Sequence, residues 1–518
     1  MDAGGTGAIS SRSVNEGAHN PSAAFSEMRD RKIIFLLGLL AASHVFIFSA
    51  AFPFFNNVDE QVHFDLAVKY SQGQVPRALE PMSDRAVNYI ILYSSSAYVG
   101  VPTNYPDGQF PPPPWTQPLE KIRPALIAKT AAWRAVTNYE ASQPPLYYTL
   151  AAWWWDLGKL CGLRDGGLLY WLRFLNVVLI IALVWLGYLA ARLVFPENIF
   201  GRLAVPALLA FMPQTAFYSI QNDMLSSVCF GAAFICLINF LRVEIPGVRL
   251  GIFTGLALAA TFLTKISSLP LLAVSALAIL FKAAQLARAG KLRAAFPAFS
   301  ALVLCAGLPI AGWLGWCKFA FGDFSGTAAK IQFLGWTHKS FGDWWQHPIF
   351  TLPGCWTFLS GLLATFWQGE FMWHRQPLAL PWADLAYVLV SLVLVGAALL
   401  NLLPCAKNTT APQRQALWFA CGCVVAAAVF LGLLSIIYDF QDCFYPSRAH
   451  PFFTSGRLML GALIPFLLLF VSGLDRGLGK SGNAVKFGAL ALILLSMLVC
   501  EIAIDWPVFA NDYNWFHL

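Results

Sequence analysis

The sequence predicts an all-α polytopic membrane protein with about eleven transmembrane helices. Its 518 residues are 58% hydrophobic and only 12% charged, about half the charged fraction of a typical soluble protein. Continuous apolar runs of about twenty residues recur along the chain, and each is long enough to cross a bilayer as a helix. A transmembrane β-barrel would show shorter segments of alternating polarity instead.

The first predicted span runs from Ile33 to Phe52 and follows the cations Arg29, Arg31 and Lys32. This order is typical of a retained anchor that enters the membrane from the cytoplasm, and no cleavable signal peptide is recognisable. Residues 1–31 are polar and are expected to form a disordered cytoplasmic N-terminus.

A long loop, residues 53–167, follows without a convincing span. Its middle is rich in proline and turn residues, which cannot continue a helix. Its end, from Pro144 to Trp155, is crowded with tyrosine and tryptophan, residues that favour the boundary between membrane and water. We therefore expect interfacial helices in this loop.

The remaining apolar runs predict ten more spans. They are Leu168–Val194, Leu203–Phe217, Met224–Leu241, Leu250–Leu263, Leu269–Phe281, Phe296–Phe321, Leu385–Leu403, Ala416–Tyr438, Leu458–Val471 and Phe487–Ile504. The chain is thereby divided into a transmembrane module at 32–321, a second outer loop at 322–382 and C-terminal transmembrane helices at 383–518.

The distribution of positive charge predicts the orientation of these spans. If the Pro144–Trp155 helix does not cross, every inner loop carries at least two cations; counting it as a span would reverse all later loops. The inner-loop cations are Arg192, Arg202, Arg242, Arg249, Lys282, Arg288, Lys291, Arg293, Lys407, Arg414, Arg476, Lys480 and Lys486. This asymmetry also accounts for the net charge of +7 without a nucleic-acid partner. We expect a bacterial inner-membrane protein with a cytoplasmic N-terminus and its polar loops outside.

Polar residues suited to chemistry then gather on the outer side. Asp59, Glu60 and His63 follow the first span directly, and Asp223 lies in a short turn between the third and fourth spans. Six cations lie outside as exceptions to the charge rule: Lys265, Lys330, Lys339, Arg375, Arg448 and Arg457. Lys265 and Arg457 are closely flanked by apolar residues, where a cation usually has a partner such as a lipid phosphate. The alternative is that they only extend to the membrane surface.

Several motifs, in this order, resemble those of the GT-C superfamily of membrane glycosyltransferases. They are Asn57-Val-Asp-Glu-Gln-Val-His-Phe, Gln143-Pro-Pro-Leu-Tyr-Tyr-Thr-Leu, Trp171-Leu-Arg-Phe-Leu-Asn, Tyr218-Ser-Ile-Gln-Asn-Asp-Met-Leu, Leu263-Thr-Lys265 and the segment from Ser455 to Pro465. Gln143 stands where the family frequently has His, and Leu458 where Tyr is common. The similar groups are the protein mannosyltransferases, the lipid A aminoarabinose transferases and related uncharacterised membrane proteins.

The resemblance implies an enzyme that moves a sugar from a polyprenyl-phosphate carrier to an acceptor hydroxyl on an envelope glycan, lipid or protein. The implied catalytic residues are Asp59 as the base, Glu60, which would assist or bind a metal, and Asp223, which would orient the acceptor or share a metal. Lys265, Arg457 and Arg448 would hold the departing phosphate, and His63 and Glu370 are further candidates for substrate binding.

Structural alternatives stay open for several of these residues. Asp59, Glu60 and Asp223 are also good capping residues for the helices that follow them. His63 could simply be hydrogen-bonded on its helix face. Glu370 and His374 lie among aromatic residues, and an interfacial aromatic belt is the favoured interpretation there.

Cofactors are not established by the sequence. Two separated carboxylates plus water could hold Mg²⁺ or Mn²⁺, but no HExxH motif or Cys/His quartet is present. A disulfide between Cys355 and Cys443 is a further open point. The rival function is a transporter or flippase of a lipid-linked or amphipathic substrate, although no internal repeat is evident.

Overall fold

The computed structural model describes residues 21–98, 100–403, 409–443 and 445–518. This part of the chain is mostly helical. Its α-helices are α1 Pro21–Ala51, α2 Glu60–Ser71, α3 Asp84–Tyr93, α4 Leu119–Arg134, α5 Leu146–Leu160, α6 Asp165–Arg173, α7 Leu175–Val194, α8 Ile199–Ala210, α9 Asp223–Arg242, α10 Val248–Thr264, α11 Leu269–Arg288, α12 Leu292–Phe321, α13 Ala328–Phe333, α14 Phe341–Trp344, α15 Leu352–Gln368, α16 Pro381–Leu402, α17 Ala411–Ile437, α18 Leu463–Gly477 and α19 Asn483–Phe509.

Short 3₁₀ helices and two minimal strand pairs join these helices. The 3₁₀ helices are Pro102–Asn104, Pro106–Gly108, Pro114–Thr116, Thr215–Tyr218, Ile266–Ser268, Pro348–Phe350, Gly456–Ala462 and Trp515–His517. Strand β1, Thr337–His338, pairs antiparallel with β4, Tyr438–Asp439, and β2, Met372–Trp373, pairs antiparallel with β3, Gln376–Pro377.

The predicted fold class is confirmed. Within the described ranges, nine helical segments are long and apolar enough to cross a membrane: Met28–Ala51, Asp165–Val194, Asp223–Arg242, Ile266–Arg288, Leu292–Phe321, Pro381–Leu402, Ala411–Ile437, Gly456–Gly477 and Asn483–Phe509. Helices α8 and α10 are apolar but shorter. These eleven elements correspond one to one with the eleven spans that the sequence predicts.

Two predicted boundaries differ from the structure for local reasons. The third predicted span, Leu203–Phe217, is the helix Ile199–Ala210 followed by a 3₁₀ turn. Pro213 lies between them, and the residue before a proline is disfavoured in α-helical geometry. Helix α11 continues to Arg288 and so takes up half of the predicted basic loop. Lys282 is buried there and donates to the carbonyl oxygens of the last turn of α9.

The segments outside the predicted spans also differ from the expectations. Helix α1 begins at Pro21, so residues 21–31 are helical where the sequence predicted a disordered segment; residues 1–20 and Lys407 lie outside the described residues. The loop at 322–382 contains the apolar helix α15, which packs on α16. Cys355 and Cys443 are both free thiols, so the disulfide considered between them does not form.

The helices divide into a central set and a peripheral set. In the Gly456–Gly477 segment, which includes α18, 89% of the apolar window is buried inside the protein, against 17% in α12, whose remaining surface is left for membrane lipids. Helices α10 and α12 approach closely along Gly251 and Gly255. A Cβ atom on Gly251 would lie 2.2 Å from the carbonyl oxygen of Ala298, so only glycine permits this contact.

A buried ion pair fixes the end of α1 to the helices that follow. Both carboxylate oxygens of Glu60 accept hydrogen bonds from Arg173, at 2.7 and 3.0 Å from Nη2. Arg173 Nη1 also donates to the carbonyl oxygens of Ser49 and Phe52, which end α1. The backbone N–H groups of Phe55 and Ile220 complete the shell of Glu60. Every polar atom of the pair is therefore engaged, as a buried ion pair requires.

We expect Arg173→Leu to lower the free energy of unfolding by about 3–5 kcal/mol, because the change leaves the Glu60 carboxylate buried without its counter-ion. The matched control is Arg134→Leu, which removes an exposed pair with Asp84 and should cost at most about 1 kcal/mol. Thermal unfolding of both variants in the same detergent tests the difference. Equal destabilisation would contradict the anchoring role.

Candidate active site

Five charged residues from distant parts of the chain meet where apolar helices end; we call Asp59, Asp223, Lys265, Glu370 and Arg457 the Arg457 cluster. Asp59 follows α1, Lys265 follows α10 and Glu370 follows α15. Asp223 begins α9, and Arg457 lies at the start of the Gly456–Gly477 segment. Successive antiparallel spans return to the same side of a bundle, so these ends converge. The cluster therefore lies at the end of the bundle opposite to the basic loops.

The guanidinium of Arg457 is the centre of this cluster. Its Nε donates to Glu370 Oε2 at 2.7 Å, and its Nη2 donates to Asp59 Oδ2. Its Nη1 lies 3.7 Å from Asp223 Oδ2. One cation therefore neutralises parts of three carboxylates, with only 7% of its side chain exposed. The planar fork of arginine is suited to such divided contacts.

Lys265 forms the second cationic contact of the cluster. Its Nζ donates to Asp223 Oδ1, and both residues are buried. The alternative interpretation of these cations was that they only extend to the membrane surface. Neither Lys265 nor Arg457 does so in the structure. Both instead have carboxylate partners, as cations within apolar surroundings generally require.

Asp59 stands at the start of α2 but does not cap it. Its side chain makes no capping hydrogen bond; Oδ1 accepts from the hydroxyl of Tyr139 at 2.6 Å and Oδ2 faces Arg457. Its backbone has a left-handed φ of 68°, which is uncommon for a residue with a side chain and frequent at functional sites. Burial alone would raise the pKa of Asp59, but the charges of Arg457, Lys330 and His63 and the Tyr139 bond hold it below its ordinary value.

Asp223 shows the same pattern at the start of α9. The N-cap residue Asn222 makes no side-chain capping bond and donates instead to the carbonyl oxygen of Thr264. The Asp223 carboxylate faces Lys265 and Arg457, and its Oδ2 atom has no hydrogen-bond partner among the described residues. An acidic residue at this position could cap helix α9, but the contacts of Asp223 are those of a candidate functional site.

A neighbouring arm of the site was missed by the sequence analysis. Glu140 is buried, accepts from Gln143 Nε2 at 2.6 Å and pairs with Lys330. Tyr139, next to Glu140, donates to Asp59 and thereby joins this arm to the Arg457 cluster. Two sequence signals point to the arm: Lys330 is one of the outer cations, and Tyr139 and Glu140 directly precede the Gln143 motif.

His63 lies beside the cluster as a neutral ring. Its Nδ1 atom shares a 2.7 Å hydrogen bond with the hydroxyl of Tyr148, and the ring is almost fully buried. Burial is the largest cause of its lowered pKa, about 4, and it outweighs the attraction of Glu140 and Asp59. At neutral pH His63 therefore adds no positive charge to the site.

Two predicted site residues lie elsewhere. Both oxygens of Glu60 are engaged by Arg173 and backbone N–H groups, so Glu60 serves the fold and not the cluster. Arg448 is exposed and bonds Asp439 and Gln441 near the strand pair β1–β4. The structure therefore brings neither Glu60 nor Arg448 into the Arg457 cluster.

Glu370 belongs to the cluster and not to an aromatic belt, the interpretation favoured from the sequence. Its Oε2 atom accepts from Arg457 and, at 2.7 Å, from the hydroxyl of Ser455. His374, four residues later, takes no part and stacks against Trp373 with ring centres 5.0 Å apart.

Two open cavities lie beside the Arg457 cluster and its neighbours His63 and Tyr139. The first, about 420 Å³, is an apolar groove lined by Tyr70, Val75, Pro145, Thr149, Leu263, Pro309, Gly312, Trp313 and Trp316. Its wall residue Tyr70 packs on Tyr148, the partner of His63, and Leu263 precedes Lys265 by two residues. The second, about 350 Å³, is lined by Ala78, Leu79, Ala320, Phe321, Ala329, Gln332 and Phe333. Phe333 stacks on Tyr139.

The cluster is not arranged as a metal site. No group of three or more His, Cys, Asp or Glu side chains in the described ranges is placed to hold a metal ion. The guanidinium of Arg457 already lies between Asp59 and Asp223, so a Mg²⁺ or Mn²⁺ ion would have to displace it from this position.

The chain belongs to the family DUF2142, described as a predicted membrane protein, whose model matches residues 44–438. The match covers most of the chain, including Asp59, Asp223, Lys265 and Glu370; Arg457 lies beyond its end. No curated protein matches the chain. The family establishes a membrane protein, and its description names no activity.

A pH test follows from the buried ring of His63. Because its pKa falls from 6.5 in the unfolded chain to about 4 in the folded protein, protonation favours the unfolded chain as the pH drops between these values. Between pH 7.5 and pH 5.0 the wild-type protein should lose about 2 kcal/mol more stability than His63→Gln, which keeps a hydrogen-bonding group without a titrating one. Parallel pH profiles in denaturant unfolding would show that His63 titrates normally.

Proposed function

We propose that this protein is an integral membrane glycosyltransferase of GT-C type, which moves a sugar from a polyprenyl-phosphate carrier to an acceptor hydroxyl. The observation that carries the proposal is the Arg457 cluster: one guanidinium shared by Asp59, Asp223 and Glu370 at the end of a bundle of apolar helices, beside an apolar groove. Such a site combines acids for proton transfer with cations for a phosphate.

The donor would enter with its chain in the groove between α5, α10 and α12. The groove walls are apolar and aromatic, which suits an isoprenoid chain. Lys265 follows directly after the end of α10 and pairs with Asp223 inside the cluster. A phosphate at the end of a chain in the groove would thus meet Lys265 and then Arg457, and both side chains form strong hydrogen bonds to phosphate.

The chemical step is a direct displacement at the anomeric carbon. Asp59 accepts the proton of the acceptor hydroxyl while the acceptor oxygen forms its bond to carbon. The bond from carbon to the phosphate oxygen breaks, and its electron pair leaves with the polyprenyl phosphate, whose growing charge Arg457 and Lys265 neutralise. No covalent enzyme intermediate is needed, and the anomeric configuration inverts.

The ion pair between Asp59 and Arg457 makes the basicity of Asp59 depend on whether the donor is bound. With Arg457 bound to it, Asp59 is ionised but weakly basic, because the pKa of its carboxyl lies below the ordinary range. A donor phosphate competes with Asp59 for the guanidinium. Once Arg457 turns to the phosphate, the pKa of Asp59 rises and the carboxylate becomes a better base. The base is thus strengthened only when the donor is in place.

The acceptor would approach from the cavity on the other side of Tyr139. Phe333 lines this cavity and stacks on Tyr139, which donates to Asp59. An envelope glycan, lipid or protein hydroxyl entering there would reach the proposed base. The cluster lies opposite to the basic loops, which supports catalysis outside the cytoplasm of a bacterial inner membrane.

Asp59→Asn should lower the turnover of a polyprenyl-phosphate sugar by about 10²–10⁴-fold, because it removes the proton acceptor. Asparagine tolerates the left-handed backbone at this position, so folding should be preserved. The assay follows free polyprenyl phosphate by mass spectrometry over a panel of sugar donors with an envelope extract, with and without EDTA. Unchanged turnover would remove Asp59 from the mechanism.

If no donor is consumed by folded wild-type protein, the proposal fails and transport of a lipid-linked substrate becomes the alternative. Flipping of the same donors in vesicles would then be measured.

Arg457→Lys should weaken binding of the donor by about tenfold to a hundredfold, because lysine keeps the charge but loses the forked contacts to phosphate. Arg448→Lys is the matched control, since Arg448 is exposed and pairs with Asp439 away from the cluster. Titration of the purified variants with a polyprenyl-phosphate sugar measures both constants. Equal effects would show that Arg457 does not contact the donor.

A further inference from the structure

A second polar group lies among the apolar helices, separate from the Arg457 cluster. A small cavity is lined by Pro213, Thr215, Gln368, Leu378, Tyr387, Glu501, Ile504 and Asp505. The cavity has a volume of about 10 Å³, which leaves room for about one water molecule or one ion. Buried ionisable residues on membrane-spanning helices are a functional hypothesis by default. We call this space the Asp505 cavity.

Glu501 on the wall of the Asp505 cavity has its partners already. Its Oε2 atom lies 2.9 Å from His44 Nε2, and its Oε1 atom accepts from the hydroxyl of Tyr218. His44 is held in turn by the carbonyl oxygen of Ala210 at 3.2 Å. This acid is thus matched by groups of α1 and of the 3₁₀ turn at Thr215–Tyr218.

Asp505, one helical turn further along α19, is not matched. It is 3% exposed, and no hydrogen bond or ion pair joins its carboxylate to another of the described residues. Around the same cavity, the hydroxyl oxygens of Thr215 and Tyr387 and both amide atoms of Gln368 are buried without a partner. Thr215 and Gln368 are more than nine-tenths buried. Buried polar groups are almost always bonded, so this set calls for a ligand.

We propose that the Asp505 cavity binds one monovalent cation, of which Na⁺ is the best fit. The available ligands are oxygens: the Asp505 carboxylate, Gln368 Oε1, Thr215 Oγ1 and the Tyr387 hydroxyl. Hard cations take such ligands. One uncompensated carboxylate balances one positive charge, whereas a divalent ion would leave an excess charge among apolar helices. The four available oxygen ligands suit Na⁺ better than K⁺, which is larger and takes more ligands.

The cation site shares backbone with the Arg457 cluster. Gln368 is followed by Gly369 and then by Glu370, the partner of Arg457. Gly369 has a left-handed φ of 88°, and a Cβ there would lie 2.1 Å from Thr215 Oγ1. The carbonyl oxygen of Thr215 accepts from Asn57, two residues before Asp59. A bound cation therefore holds in place the two segments that position Glu370 and Asp59.

The test is binding of radioactive Na⁺ to the purified full chain, together with thermal unfolding in NaCl, KCl and N-methylglucamine chloride at equal ionic strength. Saturable Na⁺ binding and a rise in melting temperature specific to Na⁺ are expected. Asp505→Asn should abolish both. Thr215→Val, which removes one oxygen at nearly constant volume, should weaken binding of Na⁺ at least about tenfold and keeps the test informative if Asp505→Asn does not fold.

Two controls separate this site from the proposed catalysis and from general effects of charge. Asp156→Asn removes a half-exposed carboxylate that pairs with Lys159 on α5 and should leave Na⁺ binding unchanged. Asp59→Asn should also retain Na⁺ binding, whether or not the protein transfers sugar. Melting temperatures that are equal in the three salts, or an Na⁺ effect that persists in Asp505→Asn, would overturn the proposal and assign the cavity to a neutral carboxyl and water.

Discussion

The guanidinium of Arg457 is the interaction on which the candidate site depends. Asp59, Asp223 and Glu370 come from three separate regions of the chain, and their negative charges would repel one another strongly in apolar surroundings. One buried arginine makes their approach possible, and Lys265 reduces the remaining charge on Asp223. Under the proposed function, an incoming phosphate would compete for the cations on which the acids rely.

The adjacent acids Asp59 and Glu60 have opposite roles because the backbone turns between them. Asp59 has a left-handed φ and faces Tyr139 and Arg457, whereas Glu60 begins α2 and faces Arg173. The Glu60 pair fixes the end of α1 and α2 to α6, and this fixed frame holds Asp59 in its strained position. A structural acid and the proposed catalytic acid thus occupy consecutive residues, and each has a set of partners of its own.

Membrane burial explains why most buried charges in this protein lie in pairs or clusters. Within an apolar bundle, an unpartnered polar atom has no water to bond, so nearly every buried charge is matched by another. Around the Asp505 cavity, the side-chain oxygen atoms of Thr215, Gln368 and Tyr387 have no partner among the described residues. Its connection through Gln368 and Gly369 to Glu370 means that its occupant and the Arg457 cluster act on the same segment.

The sequence by itself determined the eleven apolar helices, because backbone satisfaction in a bilayer leaves a helix as the one state open to such continuous runs. It also placed Asp59, Asp223, Lys265 and Arg457 at one end of the bundle, since alternate loops carry the positive charge. The tertiary structure alone decided that Arg457 reaches Asp59 across 398 residues of chain, that Glu140 and Lys330 join the site, and that Glu60 and Arg448 do not. Side-chain partners over such separations depend on helix packing and local turns, which charge and hydropathy patterns do not encode.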